Sequence, residues 1–333
     1  MTISLLAVLL SLFLILSGSL LFTNGIEWTG RTLKLAEGVT GSVLAAVGTA
    51  LPETLIPFLA ILFGKEPGET EIGIGAILGA PFMLTTLTLP LAGLWLTYLS
   101  IRGRRNRVIR IREDDIQADL GTFLISYFLA TAAAVISSRT FHYGAGFILI
   151  GVYLLYLKGA WQRSNSEESE PEPLIFQRRS VRPDGAPIAI QTLTGLILIL
   201  TGATFFISGM REAASRLQIA PMILSLLATP VVTELPEQFN SLIWISREKD
   251  HLAFSNITGA LVFQSTLPVA IGLFGSAWSI DRRGLLNVAL TLTAALFLFA
   301  ILTARRGWKP KHLFLVSFAY LAYCLVLFFN PAP

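Results

Sequence analysis

Cysteine occurs once in the 333 residues, at Cys324, and histidine three times, at His142, His251 and His312. A single cysteine excludes an internal disulfide and any thiolate cluster, and its place inside an apolar run marks it as a small buried hydrophobe. The histidines stand far apart near the ends of apolar segments, so they form neither a metal-ligand cluster nor a nucleophile set with serine or cysteine. Glycine-rich phosphate loops are also missing. Charge is the most telling shortage: 14% of residues are charged, against about 25% in a soluble domain, while 53% are hydrophobic. These shortages exclude an ordinary soluble enzyme and leave an integral membrane protein, with no catalytic role and no cofactor expected.

Apolar runs near 20 residues fill almost the whole chain, the length a helix needs to cross about 30 Å of hydrocarbon. Ten spans are expected, at roughly 3–23, 38–63, 72–99, 117–138, 141–158, 188–210, 217–246, 250–274, 284–303 and 312–330. The fold class is therefore an all-α membrane protein of ten transmembrane helices. The net charge of +4 could suggest nucleic acid, but 19 of the 25 Lys and Arg residues fall in alternate loops, which is a signature of orientation. That asymmetry predicts both termini outside, with the lipid bilayer and not nucleic acid as partner; with no targeting features, a bacterial inner membrane is the simplest expectation. All six tryptophans, Trp28, Trp95, Trp161, Trp244, Trp278 and Trp308, fall near span ends, where an amphipathic ring suits the headgroup region.

One polar linker, carrying Glu167, Glu168, Glu170 and Glu172, divides the spans five and five. The expected organisation is a first five-helix repeat at 1–160, a cytoplasmic linker at 161–187 and a second repeat at 188–333. An odd number of spans in each half makes the second enter from the opposite side, so the repeats are inverted.

Two near-copies of one hexapeptide sit in matching places of those halves: Gly48-Thr49-Ala50-Leu51-Pro52-Glu53 and Val232-Thr233-Glu234-Leu235-Pro236-Glu237. Each sets a proline, which cannot donate a helix hydrogen bond, before a glutamate that is costly in hydrocarbon. Within spans, prolines occur only in the second and third (Pro52, Pro57, Pro81, Pro90) and the seventh and eighth (Pro221, Pro230, Pro236, Pro268). Interrupted helices in corresponding places of two inverted halves point to a transport site near the bilayer midplane, since broken backbone is tolerated only where it faces protein or water.

The residue types at these motifs favour hard cations. Thr49 stands one helical turn before Glu53 and Thr233 one turn before Glu237, so each motif offers a carboxylate, a hydroxyl and carbonyls freed by proline. Oxygen donors of this kind suit Ca²⁺, Na⁺ or Mg²⁺ rather than soft metals. A threonine hydroxyl can instead bond its own helix at a kink, and both roles stay open. Glu234 has no counterpart, since Ala50 fills that place in the first half. Lying three residues before Glu237, it puts a second carboxylate about 5 Å away, and the pair repel by about 3 kcal/mol at an effective dielectric near 20. A proton shared by that pair makes H⁺ a candidate counter-ion. In the eighth span Gln264 is deep and polar, the best further ligand; Gly75 and Gly79 are expected to permit close helix approach.

GTALPE at 48–53 and VTELPE at 232–237 resemble the paired motifs of the cation/calcium exchanger superfamily, which includes the sodium/calcium exchangers. The resemblance extends to the ten-span layout, with specific matches at about 38–84 and 223–264. It implies a midplane cation site built by helices two, three, seven and eight, and alternating access by movement of the first helix of each half. By position it assigns Glu53, Glu237, Thr49 and Thr233 as ligands, to which the residues themselves add Glu234 and Gln264. The chain departs from the family where Ala50 and Glu234 replace motif serines, and where Ala80, Leu84 and Ala260 replace polar residues of the following helices. The implied function is a secondary active antiporter exchanging Ca²⁺ for Na⁺ or H⁺. The reduced ligand set leaves two alternatives: a non-transporting cation-binding or sensor relative, or an H⁺-coupled exchanger of another cation.

Overall fold

A computed structural model describes residues 2–32, 45–106, 108–163, 173–177, 183–304 and 307–329, with side chains described outside 2–7, 45–52, 160–163, 232, 235–237 and 328. All regular elements among these residues are helical. In chain order they are α1 (Thr2–Thr32), α2 (Ala45–Leu62), α3 (Glu69–Met83), a π-helical turn (Leu84–Thr88), α4 (Leu89–Ile101), α5 (Glu113–Val135), α6 (Arg139–Arg163), a 3₁₀ turn (Ile175–Gln177) and α7 (Gly185–Leu217). Next come α8 (Pro221–Thr233), α9 (Leu235–Ser246), α10 (Asp250–Gln264), α11 (Leu267–Gly275), α12 (Arg282–Thr303), α13 (Pro310–Leu315) and α14 (Ser317–Phe329).

Among the described residues eight helical stretches are long and apolar enough to cross a membrane: Val8–Thr32, Glu69–Ile101, Glu113–Val135, Arg139–Gly159, Gly185–Leu217, Asp250–Gly275, Arg282–Thr303 and Pro310–Leu327. The spans expected at 38–63 and 217–246 are represented by shorter apolar helices, Glu53–Leu62 and Pro221–Val231. The first is described only from Ala45, and the second is divided by a turn at Glu234.

The prolines act differently in the two halves. Pro236 is the second residue of α9 and Pro268 the second of α11, positions where a missing N–H costs nothing, so each restarts a helix after a break. In the third span the backbone loosens instead into the π-helical turn between Pro81 and Pro90, and the hydroxyl of Thr85 donates to the Pro81 carbonyl at 2.7 Å. The second span differs from expectation: α2 runs without interruption through Pro52 and Pro57. Each proline deletes a single N–H donor there, and the remaining helix bonds and the packing of α2 on α3 carry the helix across.

Small residues set the packing. α1 lies along α7, and a Cβ at Gly18 would stand 2.8 Å from the Gly195 carbonyl oxygen. α3 lies equally close to α8, where a Cβ at Gly79 would stand 2.0 Å from the Leu226 carbonyl oxygen. Without a hydrophobic drive between helices in lipid, such close backbone approach supplies much of the association energy. One apolar core gathers Ile15 of α1, Ile56 of α2, Ile72 of α3 and Phe206 of α7. A larger one is formed by α2 to α6 and α8 to α14. Large apolar side chains such as Phe13, Ile125, Phe147 and Ile197 stay exposed, as a lipid-facing surface requires.

Three of the tryptophans expected in the headgroup belt are buried instead. Trp278 is 1% exposed and donates from Nε1 to the Ala130 carbonyl at 2.9 Å; Trp308 is 4% exposed and donates to the Leu298 carbonyl at 3.1 Å. Trp28 is likewise buried, against Leu174 and Ile188. The Trp278 and Trp308 indoles close the ends of helix bundles because a buried carbonyl satisfies the N–H as well as water does. The basic loop after α4 is anchored similarly: Arg105 makes a fork with Asp250 at 2.7 and 2.8 Å and donates to the Ile245 carbonyl at 2.7 Å. This buried ion pair joins the ends of α4, α9 and α10.

Candidate cation site

Glu53 lies in α2, Glu234 at the turn between α8 and α9, and Gln264 is the last residue of α10. Their side chains are 7%, 0% and 1% exposed, so all three are removed from solvent and lipid. Gln264 Nε2 donates to Glu53 Oε2 at 2.7 Å and to Glu234 Oε1 at 2.5 Å. One amide thus spans two carboxyl groups from opposite halves of the chain. Glu53 Oε1 and Gln264 Oε1 remain buried without a hydrogen-bond partner. Each such oxygen costs about 1–3 kcal/mol, so the cluster carries more acceptors than protein donors satisfy.

Two prolines put backbone oxygen at the same place. Pro57 stands four residues after Glu53 and Pro268 four residues after Gln264. A proline in that position cannot donate to the carbonyl four residues earlier, so the main-chain oxygens of both site residues are released from the helix ladder. At Glu234 the backbone (φ −84°, ψ −7°) ends one helix and starts the next, which turns its side chain inward between them. Carboxylate, amide and main-chain oxygens form a hard donor set.

The other candidate ligands fare differently. Thr233 is buried, but its hydroxyl donates to the Thr229 carbonyl of its own helix at 3.3 Å, the local role that competes with ligation. The side chains of Thr49 and Glu237 lie outside the described residues; their backbone lies in α2 and α9. The expected opposition of Glu53 to Glu237 is therefore undescribed at the side-chain level, whereas Glu53 and Glu234 share one hydrogen-bond donor. Ala80 and Leu84, at positions where the resembled family has polar residues, are buried and apolar.

A buried acid outside the motifs is invisible to sequence reasoning. Asp119 in α5 is 4% exposed and accepts from Thr258 Oγ1 of α10 at 2.6 Å. It sits near the edge of its expected span, where an acid looks like a flanking charge, and only the packing of α5 on α10 reveals its burial.

Helices that bury two acids and one amide at broken backbone within an apolar bundle make this a multi-pass membrane protein with an intramembrane polar centre. The model of the sodium/calcium exchanger protein family matches residues 3–161 and 188–330. The chain belongs to that family of cation antiporters. It is 24% identical over 271 residues to the uncharacterized membrane protein MJ0091 of Methanocaldococcus jannaschii, covering 79% of each chain. It is 23% identical over 303 residues to the putative antiporter CaxA of Alkalimonas amylolytica, covering 90% of this chain and 89% of the relative. Among solved structures, an H⁺/Ca²⁺ exchanger CAX shares its fold, with a TM-score of 0.71 at 16% identity over 98% of this chain and 88% of that one.

Proposed function

We propose that the protein is a secondary active cation antiporter that exchanges Ca²⁺ for Na⁺ or H⁺ at a midplane site centred on Glu53 and Glu234. The observation that carries this reading is the shared Gln264 amide, which holds two buried acids from opposite halves at one point beside three broken or proline-bearing helices. Two carboxylates match the charge of a divalent ion, and the released main-chain carbonyls and the Gln264 Oε1 supply neutral oxygens toward the 6–8 that Ca²⁺ takes. Glu237 and Thr49 complete the set by their motif positions.

The ten-helix architecture belongs to the same proposal: two inverted five-helix repeats, 1–160 and 188–333, joined by a cytoplasmic linker at 161–187. Support comes from the family model, which matches two stretches separated at that linker, from the contact of α1 with α7, the first helices of the two halves, and from the paired contacts of α3 with α8 and α2 with α11. Both termini face outside in an inner-membrane orientation, supported by the basic residues of alternate loops. The partners are inorganic cations and the bilayer. The name of CAX, an H⁺/Ca²⁺ exchanger, supports proton coupling, and the description of the matched family supports sodium coupling.

The deciding experiment is ⁴⁵Ca²⁺ uptake into proteoliposomes under imposed Na⁺ and pH gradients, run separately. Uptake driven by either gradient, abolished by Glu53→Gln with expression retained, is the expected outcome. The buried Leu84, apolar at a position where the resembled family is polar, favours a second reading, a cation-binding relative without transport. Cation binding with no flux under either gradient selects it.

A further inference from the structure

Resting on that reading of the site, we infer that Gln264 is a built-in stand-in for the transported cation, and that cation entry requires its amide to turn over. Two ionised carboxylates in an apolar bundle repel, and a pair this close needs a proton, a cation or a hydrogen-bond donor between them. Here the partner is the Gln264 NH₂, whose two hydrogens point one to Glu53 and one to Glu234 at 2.7 and 2.5 Å. A primary amide carries two N–H donors, the number this bridge consumes, and they diverge from a single nitrogen. The bridge therefore occupies the point between the carboxyl groups that a cation would take.

The oxygen end of the same amide is idle. Gln264 Oε1 is buried and unpartnered, so the amide is used on one side only. Rotating the terminal amide by half a turn withdraws both donors and delivers Oε1 to the same point, converting a group that competes with a cation into one that coordinates it. No helix has to move for this exchange. Gln264 also ends α10 at the break before Pro268, where its own carbonyl is released from the helix ladder, so both of its oxygens become available together. The empty site is thereby kept intact, and selectivity rests on which ion repays the loss of two charge-assisted hydrogen bonds. A weakly held monovalent ion displaces the amide less readily than a divalent one.

The test compares thermal unfolding of the purified full chain in detergent, wild type against Gln264→Leu, which removes the donors and the acceptor of the side chain and leaves an apolar group one bond shorter. Midpoints are read from tryptophan fluorescence in chelator with choline chloride, and again in saturating CaCl₂ or NaCl at matched ionic strength. The variant is expected to unfold several degrees below wild type without cation, and the gap is expected to narrow in CaCl₂. A gap of the same size in both buffers means an ordinary structural hydrogen bond and overturns the proposal. A gap confined to the cation buffers means a plain ligand and overturns it too. Gln264→Asn, one methylene shorter and unable to span both carboxyl groups, guards against a leucine variant that fails to fold; wild-type behaviour of the asparagine variant in cation-free buffer overturns the proposal by itself. If wild type responds to no cation, the reading of the site as a cation site has failed, and the stand-in role with it.

Discussion

At the scale of single residues, the chemistry rests on where the second acid comes from. The motif pair points to Glu53 and Glu237 as equals, yet the amide of Gln264 ties Glu53 to Glu234, the residue without a counterpart in the first half. Replacing Glu234 by Gln removes a charged acceptor worth about 1.5–3 kcal/mol, so Ca²⁺ affinity measured by ⁴⁵Ca²⁺ binding should fall by roughly 10–100-fold. Thr233→Val should lower it far less, since that hydroxyl serves its own helix. Equal losses in the two variants would show that the hydroxyl also faces the ion. Gln264 and Glu53 are legible in the sequence as polar residues deep in apolar runs. The proline four residues after each, which frees its main-chain oxygen, is a second local signal of the same site. Asp119 is not legible, because nothing local distinguishes a span-edge acid in a headgroup layer from one turned toward a neighbouring helix.

At the scale of helices, the prolines forecast interruption and delivered three different outcomes. Pro236 and Pro268 start new helices after a break, Pro81 and Pro90 flank a π-helical turn, and Pro52 and Pro57 leave α2 whole. The difference lies in whether neighbouring elements hold the helix together once one donor is lost, which no single segment encodes. The seams between helices are more predictable. Gly79→Ala would drive a methyl group into the Leu226 carbonyl of α8, and the expected cost is about 1–3 kcal/mol, read as a lower unfolding midpoint in detergent. Asp250→Asn should be more severe, about 3–5 kcal/mol, because it strands the buried Arg105 guanidinium, while replacing both partners by apolar residues should recover part of that loss. An Asp250→Asn variant as stable as wild type would show that Arg105 finds its compensation in the Asn106, Val108 and Ile245 carbonyls.

For the whole molecule, the placement of basic residues sets an orientation that can be checked directly. In a Cys324→Ser background, a cysteine at Glu66 should react with an impermeant thiol reagent from outside intact cells, and one at Glu248 only after permeabilisation; both positions are solvent-exposed. Labelling of Glu248→Cys in intact cells would reverse the proposed topology. The sequence alone determined the membrane class, the helical fold and the pair of motifs, since hydropathy, span length and proline placement are local quantities. It could not determine which acid meets Glu53, which tryptophans are buried as bundle plugs, or that one amide bridges the two halves. Those depend on contacts between segments far apart in the chain, as Gln264 and Glu53 are. They are fixed by helix packing, where the close approach allowed by glycine on one helix decides which side chains of its neighbours share the interior.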